Sequence, residues 1–143
     1  MVIPAALLKN VTDAAEASYP DEACGLLIGA PKADDVILVS EVKSAPNVAS
    51  GSRGDRFEID PQVRFALTRR LRGGAERIIG HYHSHPDHPA SPSGRDLEMA
   101  FEPDLIWLIT SVLAGRAVDT SAYILDPVAD HFRQIDLQIV ASE

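Results

Sequence analysis

The chain reads as an α/β domain, a mixed sheet with helices packed on it. Three observations predict this. Two stretches, residues 5–18 and 61–71, carry apolar side chains at helical spacing. Several short apolar runs are bounded by Gly, Pro and Asp, as strands are. Helical and extended segments then alternate along the chain with no repeat, linker or low-complexity tract, which is the pattern of layered α/β folds. A length of 143 residues suits one domain spanning 1–143, with enough chain to bury a core.

Pro4 suits the first turn of a helix, and Leu7, Val11 and Ala14 or Ala15 make one stripe of it until Tyr19-Pro20 ends it. Cys24 to Ile28 is a short apolar run between glycines, read as a buried strand. Pro31 to Asp35 turns, and Val36 to Val42 completes a hairpin. Ser44 to Arg56 has Pro, Asn, Gly, Ser and Arg without periodicity, and is expected to be a mobile surface loop. Asp60 caps the next helix with Pro61 at its first position. Val63, Leu67 and Leu71 are its buried stripe, and Gly73-Gly74 stops it. Arg77 to His85 is a strand. Pro92-Ser93 opens a short helix to about Phe101. Leu105 to Thr110, Val118 to Leu125 and His131 to Val140 read as three further strands, with turns at Ala114-Gly115 and Asp126-Pro127.

Composition narrows the function. With 45% hydrophobic and 24% charged residues the chain is an ordinary globular protein. Cys24 is the sole cysteine, which excludes an internal disulfide and fits a reducing compartment. Met1 to Asn10 has no basic start followed by a long apolar stretch, and apolar runs such as Leu105 to Ile109 fall far below the ~20 residues of a membrane span. A cytoplasmic protein is expected. The net charge of −8 argues against nonspecific binding to nucleic acid or anionic membrane.

The chemistry is concentrated in His81-Tyr82-His83-Ser84-His85-Pro86, with Ser93 and Asp96 beyond it. On an extended segment, residues two apart share a face with Cα atoms roughly 7 Å apart, so two imidazoles converge on one metal ion. Pro86 stops the strand, and Asp96 lies far enough past the turn to fold back with a carboxylate. Two His and one Asp leave a fourth tetrahedral position open, the inventory of a catalytic zinc site. Three alternate histidines span roughly 13 Å, too far for one zinc, so one of them stands outside. Ser93-x-x-Asp96 also has the form of a capping box, a second role that competes for the aspartate. Cys24 is read as a buried core residue with no His partner, His88 as a surface histidine, and Asp87, Asp104 and Asp126 as loop acids.

His83-Ser84-His85-Pro86, six residues, Ser93, two residues, Asp96, with the upstream run Glu22-Ala23-Cys24-Gly25-Leu26-Leu27-Ile28-Gly29, resembles the signature of the JAMM (MPN+) metallopeptidases, in the spacing of the compact bacterial branch. The resemblance implies the architecture of that family, a curved mixed sheet packed between helices and related to that of the cytidine deaminases. It implies one zinc per chain on His83, His85 and Asp96, with His81 outside the set. It further implies Glu22 as general acid/base and Ser93 as a donor to the developing oxyanion. The implied function is hydrolysis of an amide bond at the C-terminus of a β-grasp ubiquitin-like or sulfur-carrier protein, trimming residues after Gly-Gly or releasing cysteine from a carrier adduct. Arg53 and Arg56 are expected to meet acidic groups on the carrier. The rivals are a noncatalytic MPN scaffold, a zinc hydrolase of small amides or short peptides, and a zinc deaminase. The absence of Pro-Cys-x-x-Cys argues against the deaminase. The identity of the carrier and the oligomeric state are not written in the sequence.

Overall fold

The computed structural model describes residues 1–33, 35–51, 54–100, 102–126, 128 and 131–142. The elements follow in the order β1 (Val2–Pro4), α1 (Ala5–Ser18), β2 (Cys24–Ala33), β3 (Val36–Ala45), α2 (Pro61–Leu71), β4 (Arg77–Pro86), α3 (Gly94–Glu98), β5 (Ile106–Leu113), β6 (Arg116–Asp126), β7 (His131–Ile135) and β8 (Gln138–Val140). All eight strands join one sheet in the order β7-β6-β5-β4-β2-β3-β1-β8. Its pairings are antiparallel except β4 with β5 and β1 with its two neighbours, so the sheet is mixed.

Neighbouring residues of β2 point to opposite faces, and each face has its own helix. Leu27 joins Val11 of α1, Ile3, Val39, Ile106 and Leu108 on one side. Leu26 and Ile28 meet Leu67 of α2 on the other, with Val63, Leu71 and Ile59 around them. Each fully buried Leu or Ile of the first cluster contributes about 1.5–3 kcal/mol. Asp60 caps α2 as expected, its side chain accepting from Gln62 N at 3.0 Å. A bulge where Leu27 faces Gly80 and Ile28 faces Ile78 shifts the alternation of β4. Ile79 therefore turns into the α1 core while Ile78 packs on the α2 side.

The C-terminal reading needs correction. The single strand expected over His131 to Val140 is two strands, broken at Asp136-Leu137. β7 pairs with β6 and β8 with β1, at the two ends of the strand order. The sheet curls until its edges nearly meet, and the Met1 amino group donates to the Asp136 carbonyl at 2.8 Å. Alternation along ten residues looks the same whether one neighbour or two receive them. The third helix ends at Glu98 rather than near Phe101, because Met99 takes the C-cap position. Phe101 itself lies outside the described residues, as does Pro127 of the Asp126-Pro127 turn. No helix among the described residues is long and apolar enough to cross a membrane.

Candidate metal centre and active site

Register brings the site together. Cys24 of β2 faces His83 of β4, so the residue two places before Cys24 falls opposite His85 on the same side of the sheet. That residue is Glu22. One residue beyond the Cys24–His83 pair, Ala23 N donates to Ser84 Oγ at 2.7 Å and Ser84 N to Ala23 O at 3.0 Å, which holds Glu22 in place. Pro86 closes the strand, and Asp87 takes a positive φ of 58° to start the turn. Asp87 Oδ1 accepts from Ala114 N at 2.9 Å, and its Oδ2 accepts from Tyr19 Oη at 2.7 Å. Ser111 Oγ donates to His88 O at 2.6 Å and Tyr123 Oη to Ala90 O at 2.9 Å. The turn leading back to Asp96 is therefore fixed by side chains from α1's end, β5 and β6.

His83 Nε2 and His85 Nε2 lie 3.0 Å apart. Asp96 Oδ1 is 3.2 Å from the first and Asp96 Oδ2 is 3.0 Å from the second. Ligands held at about 2.0–2.2 Å around one tetrahedral zinc stand about 3.3–3.6 Å apart, so the two nitrogens and a carboxylate that offers one oxygen to each lie close to the spacing the ion needs. His85 Nδ1 is 2.8 Å from the Pro89 carbonyl, which can only accept. Nδ1 therefore carries the proton and Nε2 offers its lone pair to the cluster. The capping box is present as well. Ser93 N donates to Asp96 Oδ2 at 2.9 Å and Asp96 N to Ser93 Oγ at 3.0 Å. Capping and facing the histidines do not compete: one carboxylate has lone pairs for both, and the cap sets its orientation.

Glu22 is 4% exposed, and its Oε1 is buried without a hydrogen-bond partner among the described residues. Glu22, His83 and His85 offer ligand atoms all within 4.8 Å of one another, a looser alternative triad. Burial, reinforced by Asp96 and Asp55 and opposed by His85 and Arg95, pushes the Glu22 carboxyl up to about 8. Burial also holds His83 below the usual histidine range, against the pull of Asp96. At His85 burial works downward, but the Asp96 carboxylate and the Pro89 carbonyl outweigh it and raise the group. Asp96 resists the upward push of burial because both histidines and Ser93 N stabilise its charge, and it ends well below the usual carboxylate range.

Three participants were not visible in the sequence. The Phe57 ring stacks on His83 with centroids 4.3 Å apart and planes 16° apart. Trp107, the register partner of His81, meets that imidazole edge-on at 4.3 Å. Asn47 Nδ2 donates to Glu22 O and Arg56 O, both at 3.1 Å, and its Oδ1 accepts from Ala49 N and Glu58 N. One side chain thus ties the stretch before Phe57 to the backbone of Glu22. The surface loop expected over Ser44 to Arg56 starts later and is partly tied down: Ser44 and Ala45 end β3, Asn47 bridges Ile59, and Ala49 is buried. A side chain saturating four backbone groups leaves no periodic trace.

Ser93 is exposed and lines a cleft of about 360 Å³ with Glu22, His85, His88 and Arg95. His81 is 8% exposed and lines a separate apolar pocket of about 380 Å³ with Phe57, Met99, Leu105 and Trp107. Burial and the neighbouring His83 push His81 down to about 3, so it is a neutral packing residue. Cys24 is buried and its thiol is pushed up to about 12, mainly by burial, which removes it as a nucleophile. Arg53 lies outside the described residues.

A family model for prokaryotic homologs of the JAB domain matches residues 4–124. The chain is 32% identical over 108 residues to the desampylase of Haloferax volcanii, covering 73% of each. It is 29% identical over 111 residues to the CysO-cysteine peptidase of Mycobacterium tuberculosis, covering 78% of this chain and 73% of that one. A solved protein of Desulfitobacterium hafniense matches with a TM-score of 0.83 at 27% identity, over 99% of this chain and 94% of that one. A JAB1/MPN domain protein from Archaeoglobus fulgidus shares the fold, with a TM-score of 0.61 at 22% identity over 98% and 99% of the two chains.

Proposed function

We propose that this chain, which belongs to the family of prokaryotic homologs of the JAB domain, is a zinc-dependent peptidase that hydrolyses an amide bond at the C-terminus of a small ubiquitin-like or sulfur-carrier protein. The names of its relatives, a desampylase and a CysO-cysteine peptidase, support the substrate class. One observation carries the chemistry: the His83 and His85 Nε2 atoms stand 3.0 Å apart, each faces its own Asp96 oxygen at 3.2 and 3.0 Å, and an unpartnered buried oxygen of Glu22 lies beside them. Two imidazole nitrogens and a carboxylate crowded together repel unless a cation or shared protons lie between them, and the donor set suits zinc.

His83, His85 and Asp96 would hold the ion. Zinc bound there would polarise the scissile carbonyl and acidify the attacking water. Glu22, whose buried Oε1 has no partner among the described residues and faces the two histidines, is placed to accept that water's proton and return it to the leaving nitrogen. Ser93 Oγ accepts from Asp96 N, which leaves its O–H free to donate to the developing oxyanion. His85 is held in one tautomer by Pro89, and Phe57 shields the His83 ring from water.

The test is a folded β-grasp carrier with a C-terminal extension after Gly-Gly, followed by mass spectrometry. Zinc-loaded protein should remove the extension, while chelated protein and Glu22→Gln should not. An extension lost equally in the presence of chelator would contradict the metal mechanism.

A further inference from the structure

Beside the metal cluster lies a second hollow, of about 160 Å³, lined by Ala49, Ser50, Arg56, Phe57, Glu58, Arg95, Asp96 and Met99. Arg95 lines this hollow and also the cleft that contains Glu22, His85 and Ser93. It is thus the side chain shared by the reacting centre and the hollow. The Arg95 guanidinium forms no hydrogen bond or ion pair among the described residues. Arg56 is only partly satisfied: Nη1 donates to Ser50 O at 3.3 Å, while Nε is buried without a hydrogen-bond partner, 3.6 Å from Asp55 Oδ1. Of the carboxylates facing the two clefts, only Asp55 pairs with either guanidinium among the described residues, at 3.6 Å from Arg56 Nε. Asp96 is engaged by both histidines and Ser93, Glu22 is buried, and Asp55 and Glu58 are exposed. Two guanidiniums with spare donors, next to reacting groups on a chain of net charge −8, are suited to an anion they can grip with parallel hydrogen bonds.

We propose that Arg95, assisted by Arg56, binds a free α-carboxylate on the leaving side of the scissile bond, so that the group released is a single small amino acid. The proposal rests on the peptidase reading above and chooses within it. The leaving nitrogen must sit where Glu22 can protonate it, and Arg95 shares that cleft. In a one-residue extension the carboxylate carbon is only two bonds from that nitrogen. In an amide to a lysine side chain the nitrogen is followed by four methylenes, and the arginines would stay unpaired. Size agrees: about 160 Å³ is well below the ~300–1,000 Å³ of pockets for larger ligands. In the reaction, water's oxygen ends on the carrier's terminal carbonyl carbon and the C–N bond breaks. Both water protons pass to the nitrogen, giving a carrier carboxylate and a zwitterionic amino acid.

The experiment uses zinc-loaded Glu22→Gln protein and two probes, N-acetyl-Gly-Gly-Ala and its C-terminal amide, titrated while the arginine Nε–H and backbone NMR signals are followed. The acid should bind at least about tenfold more tightly than the amide, the gain expected of a charge-assisted hydrogen bond. Arg95→Gln should bring the two affinities together, Arg95→Lys should keep part of the difference, and Arg56→Gln should reduce it. Equal binding of acid and amide overturns the proposal, as does a preference that survives both glutamine variants. Failure of either peptide to shift any signal at its solubility limit counts against it equally. The readout is binding, so it is separate from the peptidase reading. A chain that selects the acid here but cleaves no carrier would refute the hydrolase and leave the carboxylate site standing.

Discussion

Strand β4 has two faces made from alternate residues, and they are built to opposite rules. On the α1 side, Tyr82 is buried with its hydroxyl donating to Ser44 Oγ at 3.1 Å, and Ser84 is paired through both Oγ and N. On the α2 side, His81 Nδ1, His83 Nδ1 and the nearby Glu22 Oε1 are buried with no partner among the described residues. Buried polar atoms are normally paired, because an unpaired one costs about 1–3 kcal/mol. One face therefore stabilises the fold, and the other leaves buried polar atoms unpaired on and around the His83, His85 and Asp96 cluster.

The contrast breaks first at Tyr82. Tyr82→Ala should destabilise the metal-free protein by about 3–5 kcal/mol in denaturant unfolding, the usual cost of emptying a large aromatic site. A loss under 1 kcal/mol would mean that this face is not the structural one. The opposite sign is expected across the strand. The Glu22 carboxyl is raised above its ordinary value, so the metal-free fold holds that proton more tightly than the unfolded chain does. Stability attributable to this group is then present at low pH and is lost as pH rises from about 4.5 to about 8. Glu22→Gln, which does not titrate, should gain on the parent across that window and reach a few kcal/mol near pH 8, since each tenfold in proton affinity is worth about 1.4 kcal/mol. A pH-independent difference between the two proteins would refute the burial of an ionisable Glu22.

Much of this division was legible in the sequence, and the reason is period. The two-residue spacing of His83 and His85, the stop at Pro86 and the Ser93-x-x-Asp96 cap are local signals read without a fold. Glu22 is different. Parity places it opposite His85 only once Cys24 is known to face His83, and nothing local states that register. Before the structure, only the family resemblance marked it. Asn47 and Phe57 lay in a stretch without periodicity, where one amide made four bonds and one ring found a histidine some 26 residues away in sequence. The break at Asp136-Leu137 was hidden because curvature of the whole sheet decides it.

Smaller substitutions sharpen the comparison. Ser84→Ala strands the Ala23 N–H in the interior and should cost about 1–3 kcal/mol. It should also lower turnover, because that bond holds Glu22 in register. Unchanged stability with unchanged turnover would show the bond to be dispensable. Ser93→Ala removes an N-cap on an exposed turn and should cost only about 1 kcal/mol of stability, while slowing turnover by about 10²–10³. A rate loss no larger than the stability loss explains would assign Ser93 to capping alone.

The most direct measurement concerns which acid completes the metal triad, because Asp96 and Glu22 each lie within reach of the two histidines. Zinc content per chain and zinc affinity by chelator competition should be determined for Glu22→Gln and Asp96→Ala beside the parent. The proposed assignment requires Glu22→Gln to keep one zinc at near-parental affinity while turnover falls by about 10²–10⁴, and Asp96→Ala to lose zinc affinity itself. The reverse pattern, with zinc lost from Glu22→Gln and retained by Asp96→Ala, would contradict it.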